Sequence, residues 1–163
     1  MVERGLASRI PRPYGGSLIG KGAVAYRRAG EGLDPRRTVS VPLIGSYPLL
    51  AAWAGLNGLR LDGRDTLHAI EAAIGEGGID VDGPIMLEVG YFLGDTLCQE
   101  YEGWEWNIDA SGLPVLVFDR EHPANALVWN VFSFLRKKTG PGPLTLAEAL
   151  DRMGADSVER RHR

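Results

Sequence analysis

Between residues 46 and 150 the spacing of apolar positions changes from helical to strand-like and back again. Ser46 stands where a helix cap would, and Leu49, Trp53 and Leu56 then recur at helical spacing until Gly58 supplies a stop. Asp65 is a second cap candidate. Leu67, Ile70 and Ile74 follow it, and Gly75, Gly77 and Gly78 end that element. A third helix is predicted over residues 85–100, with Met86, Val89, Leu93 and Leu97 as one apolar stripe. Gly90 and Gly94 sit one turn apart beside that stripe. Each costs up to about 1 kcal/mol relative to Ala in a helix interior. Two poor helix formers on one side predict that another backbone packs very close there, the alternative being a helix that breaks at Gly94.

The period then shortens. Trp104, Trp106 and Ile108 alternate with Glu105, Asn107 and Asp109, as in a half-buried strand. Asp109-Ala110-Ser111-Gly112 is turn chemistry, and Val115, Leu116, Val117 and Phe118 form a second, more buried strand. A fourth helix is predicted from Pro123, with Ala124, Leu127, Val128, Val131 and Leu135 as its core stripe and Gly140-Pro141 as its stop. Thr145-Leu146-Ala147-Glu148 has the form of a capping box and opens a short helix to Met153.

Upstream, residues 1–37 are rich in Gly, Pro and Arg and predict loop structure, with a short strand at Ala23–Tyr26. Thr38–Val41 alternates like a strand, and Pro42 should end it or confine it to a sheet edge. The expected fold class is α+β: helices packed on a small antiparallel sheet built around a hairpin near 103–118. The chain then divides into a basic Gly/Pro-rich arm (1–45), an α+β core (46–153) and a flexible basic tail (154–163).

Several short motifs in this order carry a resemblance. Tyr91-Phe92-Leu93-Gly94, Trp104-Glu105-Trp106, Leu113-Pro114-Val115 and His122-Pro123 follow a helix pair over Leu49–Ile74. Over roughly residues 46–150 the chain resembles a group of small actinobacterial domains of unknown function. The resemblance implies an interaction module, in some cases of the immunity type that neutralises a toxin. It supplies no catalytic residue.

Charge changes this picture more than composition does. Residues 1–37 hold eight Arg/Lys against three Asp/Glu, residues 38–120 three against thirteen, and residues 121–163 seven against five. A basic arm therefore precedes an acidic body, and the arm either folds onto that body, stays solvated, or contacts nucleic acid or an acidic partner. The single cysteine, Cys98, cannot form an internal disulfide. No stretch approaches the roughly 20 apolar residues of a membrane span, and Met1–Arg12 lacks the apolar run of a signal peptide. The expectation is a cytoplasmic protein without membrane contact.

The candidate chemistry is thin. Gly15–Lys21 fits G-x-x-x-x-G-K, but Gly22 replaces the Ser or Thr of a phosphate-binding loop, and Pro11-Arg12-Pro13 precedes it in place of a buried strand. Cys98 and His122 would need the fold to bring them together as a nucleophile–base pair. Asp119, Glu121 and His122 form one acidic-histidine cluster with no second group to complete a metal shell. Glu88, Asp95, Glu100, Glu102 and Glu105 read as a solvated acidic face. No catalytic residue, cofactor or metal is assigned.

The expected function is thus a non-enzymatic protein-interaction domain, an immunity-type or accessory protein in one concrete form. Its binding residues are Glu102 and Glu105 on the acidic hairpin, or Trp129 and Phe132. These two aromatics lie off the predicted helix stripe and would form an exposed or inter-subunit patch. Trp104 and Trp106 are assigned to the core. The alternatives are a nucleic-acid-associated protein using Arg27, Arg28, Arg36 and Arg37, a structural subunit, and an enzyme with an unrecognised site. The partner is expected to be a protein, and a homo-oligomer is compatible with the sequence.

Overall fold

A computed structural model describes residues 39–41, 43–108, 114–122, 124–138 and 144–163; at 39–41 only the backbone is described. The elements run β1 (Val39–Val41), α1 (Pro48–Leu56), α2 (Gly63–Glu76), α3 (Ile85–Glu100), β2 (Trp104–Ile108), β3 (Pro114–Phe118), β4 (Leu127–Trp129), α4 (Val131–Arg136) and α5 (Leu146–Arg161). The architecture is α+β. The antiparallel sheet has the order β1-β2-β3-β4, with the β2–β3 hairpin at its centre. β1, the strand before Pro42, lies at an edge.

Helix α3 is the hub and touches α1, α2, α4, α5 and β2. Its stripe of Met86, Val89, Leu93 and Leu97 is fully enclosed, and Leu67, Ile70, Leu116, Leu135 and Leu150 pack into the same core. The two glycines of α3 do lie against a close neighbour. A Cβ on Gly90 would sit 2.4 Å from Phe132 Cε1, and one on Gly94 would sit 2.1 Å from Trp106 Cζ2. The neighbours are aromatic rings rather than a second backbone: the missing side chains make seats for Phe132 and Trp106. Trp106 and Tyr91 meet edge-on at 5.9 Å, and Tyr91 meets Phe132 edge-on at 5.6 Å.

The stretch after the hairpin departs from expectation. Leu127–Trp129 is a strand that extends the sheet by pairing with β3, in the register Leu116↔Trp129 and Phe118↔Leu127. The helix begins only at Val131, where Asn130 Oδ1 accepts from Ser133 N at 3.0 Å. Asn130, not Pro123, is the start signal (Pro123 lies outside the described residues). Trp129 and Phe132 are consequently both buried, which corrects the exposed patch expected of them. Their faces are set by two different elements, so a single helical wheel through both misplaces them.

The C-terminal segment is also different. Thr145 and Glu148 form the expected capping box, but α5 continues past Met153 to Arg161. Gly154 does not end it. The space where its side chain would stand holds the Tyr101 ring, 2.1 Å from the site of a Cβ. Ser157 is buried and donates to Gly154 O at 2.7 Å. Residues 154–161 are helix packed on the domain, not a separate flexible tail.

Candidate functional site

Helix α1 has the sequence PLLAAWAGL, with no charged residue. A short helix apolar on all sides normally sits in a core. Here only Leu50 and Ala54 are buried. Leu49 and Leu56, two of the three positions of the expected stripe, point outward, and the third, Trp53, is half-buried. Residue exposure reaches 46% at Leu49 and 89% at Leu56. Leu43 and Leu59 flank the helix and are also exposed, so four of the five exposed large hydrophobics among the described residues lie within residues 43–59. A separate open groove of about 530 Å³ follows another flank of α1, lined by Ala51, Ala54, Gly55, Leu59, Arg60, Leu61 and Asp62.

Two buried carboxylates of α3, one heptad apart, fix this helix in place. Glu88 accepts from Leu49 N at 2.8 and 3.0 Å, satisfying an open N–H of the first turn in place of a cap by Ser46 or Tyr47. Burial pushes the Glu88 carboxyl above its usual range, although the backbone N–H groups of α1 pull the other way. Asp95 accepts from Ile44 N at 2.9 Å, Gly45 N at 2.8 Å, Trp106 Nε1 at 2.7 Å and the Tyr47 hydroxyl. Burial, then the hydrogen bond to Asp95, pushes the Tyr47 hydroxyl far above its ordinary value, so it stays a donor. The Tyr47 ring packs edge-on against Phe92 at 5.4 Å. A rigid base thus presents the outer face of α1. The sequence shows both carboxylates, but nothing in it says that they face inward.

The other predicted residues are dispersed. Glu102 is exposed in the turn between α3 and β2 and pairs with Arg161 at 3.0 Å. Glu105, on β2, lies 4.0 Å from Arg120. The hairpin acids are therefore partly neutralised within the chain. Trp104 and Trp106 are core residues, as expected. Arg27, Arg28, Arg36 and Arg37 and the loop carrying Lys21 lie outside the described residues. His122 pairs with Asp119 at 2.7 Å, not with Cys98. Burial first, then Asp95 and Glu105, pushes the Cys98 thiol up to about 12, opposite to what a nucleophile needs. Among the described residues no group of three or more His, Cys, Asp or Glu could hold a metal ion, and no helix is long and apolar enough to cross a membrane.

Compared with known proteins, the chain matches no family model, no curated protein and no solved structure.

Proposed function

We propose that this chain is a protein-interaction domain that docks its partner on the outer face of α1. The observation that carries this reading is the concentration of exposed large hydrophobics on and beside a helix with no charge. Exposed apolar residues scattered singly need no explanation, but a contiguous set does. The face has the parts of an interface: a half-buried Trp53 as anchor, with Leu49 and Leu56 about one turn away on either side. An amphipathic helix or a flat apolar patch would complement it. An immunity-type or accessory protein is one form that this function can take.

The test is photo-crosslinking in the producing cell from probes at Leu49 and Leu56, with Glu76 as a control position. A discrete adduct from both probes, absent at 76, is expected, and the adduct from the Leu49 probe should be lost when Leu56→Glu is added. Sedimentation of the purified chain then shows whether the partner is a second copy. A monomer that gives no discrete adduct from either probe defeats the reading.

A further inference from the structure

A second feature lies in the C-terminal turns of α5, away from α1. A cavity of about 340 Å³ opens between the turn after β3 and the end of α5. Its polar lining is Asp119, His122, Asn125, Arg160, Arg161 and Arg163, with Gly103 and Phe118 completing it. We propose that this cavity binds a small soluble phosphomonoester through the guanidinium groups of Arg160, Arg161 and Arg163 and the imidazole of His122.

The charge is concentrated. Three of the ten Lys/Arg among the described residues line this one cavity, on a body whose residues 38–120 carry thirteen acids against three bases. The only carboxylate in the lining, Asp119, is already engaged by His122 Nδ1 at 2.7 Å. That bond leaves Nε2 as the other ring nitrogen available to a ligand. Asp119 supports the ring from an unusual backbone: its φ of 52° makes it the one non-glycine residue with positive φ among the described residues. Two turn hydrogen bonds hold the loop, His122 N to Asp119 O at 3.0 Å and Asn125 N to His122 O at 2.8 Å. The hydrogen bond to Asp119, helped by its charge and that of Glu121, raises the affinity of His122 for a proton, so the ring keeps positive charge to higher pH.

The arginines are arranged rather than merely near. Arg161 lies over the Phe118 ring at 5.6 Å and is fixed by Glu102. Gly103 makes room for it: a Cβ there would stand 2.8 Å from Arg161 Nη2. Arg160 reaches across to Asn125 O at 3.3 Å and has no carboxylate partner among the described residues. Arg163 is held by Glu159 at 2.6 Å. Arginines near a helix C-terminus ordinarily serve the helix dipole. That role accounts for neither the imidazole tied from behind nor the cavity between them. Planar guanidinium forks match phosphate oxygens in pairs. The volume lies at the small end of the roughly 300–1,000 Å³ of ligand pockets, which suits a phosphate carrying a small organic group. A nucleic-acid backbone would need a track of basic sites, and the described residues of the acidic body form none.

The test is a titration of the full chain with glycerol phosphate at fixed ionic strength, followed by the His122 ring resonances in NMR. Saturable shifts are expected, weakened about tenfold or more in Arg160→Ala/Arg163→Ala, because charged hydrogen bonds are lost. Both side chains are exposed, and an unchanged melting curve shows that the variant is folded. Parallel arms use acetate, sulfate and vesicles containing phosphatidic acid. The proposal is overturned by non-saturating shifts, by equal binding of acetate, by the same affinity in the double variant, or by binding to vesicles but not to glycerol phosphate.

Discussion

Helix α3 runs for 16 residues, carries three carboxylates and buries eleven of its residues, whereas α1 runs for nine residues, carries no charge and buries two. Judged on hydrophobicity alone, α1 belongs in the core and α3 nearer the surface. The difference lies in what surrounds each. α3 has neighbours on every side, and its acids Glu88 and Asp95 are buried because backbone N–H groups and the Trp106 indole meet them. Among the described elements α3 is the main neighbour of α1, whose outer residues are mostly exposed. Burial of a helix face follows from what is packed on it, and an apolar face left bare is available for use.

The contrast breaks most visibly at Asp95. Asp95→Ala strands the buried Trp106 Nε1 and removes the partner of the part-buried N–H groups of Ile44 and Gly45, and should cost about 3 kcal/mol, since a buried unpaired donor costs about 1–3 kcal/mol. Urea unfolding measures this, and a loss below about 1 kcal/mol would mean that the clamp on the segment leading into α1 contributes little.

Next come the glycines. Gly94→Ala drives a methyl into Trp106, a ring fixed by Asp95 and 1% exposed, so overpacking of about 1–3 kcal/mol should outweigh the gain in helix propensity. Gly154→Ala meets Tyr101 as closely, but that ring is half-exposed and can swing, so its loss should be smaller. Gly55, on the open side of α1, has nothing within 4 Å, and Gly55→Ala should stabilise by up to about 1 kcal/mol. Thermal melts of the three variants rank them, and a stabilised Gly94→Ala would contradict the close seat.

Glu88 gives a pH signature. Its carboxyl is raised in the fold by burial, so the protonated form is favoured there. The stability it confers is complete below the ordinary carboxylate value and is lost as pH rises through the raised one. Glu88→Gln should flatten that part of the curve of stability against pH. An identical slope in both proteins would show that Glu88 is not the group responsible.

The smallest effect on stability is expected at the surface that matters most for function. Leu56 is 89% exposed, and Leu56→Glu should shift stability by no more than about 0.5 kcal/mol while removing partner capture. A collapse of the fold in that variant would place Leu56 in the core and erase the contrast between the two helices.

Local pattern fixed much of this. The extent of α3, the β2–β3 hairpin, the capping box at Thr145 and a close approach at Gly90 and Gly94, though not the rings of Phe132 and Trp106 that make it, follow from period, turn chemistry and the helix cost of glycine, which are properties of neighbours along the chain. The sequence also marked the edge position of the strand before Pro42. What it misdirected were the choices between faces. Leu127–Trp129 fits a helical stripe and a short strand equally well, and pairing with β3 decided for the strand. Gly154 resembles a helix end, and the Tyr101 ring beside it made it a mid-helix seat. Leu49, Trp53 and Leu56 form a regular stripe, but every face of α1 is apolar, so periodicity carries no orientation there. The tertiary structure turned Leu50 and Ala54 inward because Glu88 and Asp95, some forty to fifty residues along the chain, hold the segment Ile44–Leu49 in one pose. The basic cavity likewise joins a turn at Asp119–Asn125 to arginines at 160–163, and only folding brings those segments together. Period and capping act over a few residues, whereas the facing of a uniformly apolar helix and the assembly of a charged cleft depend on contacts far apart in sequence.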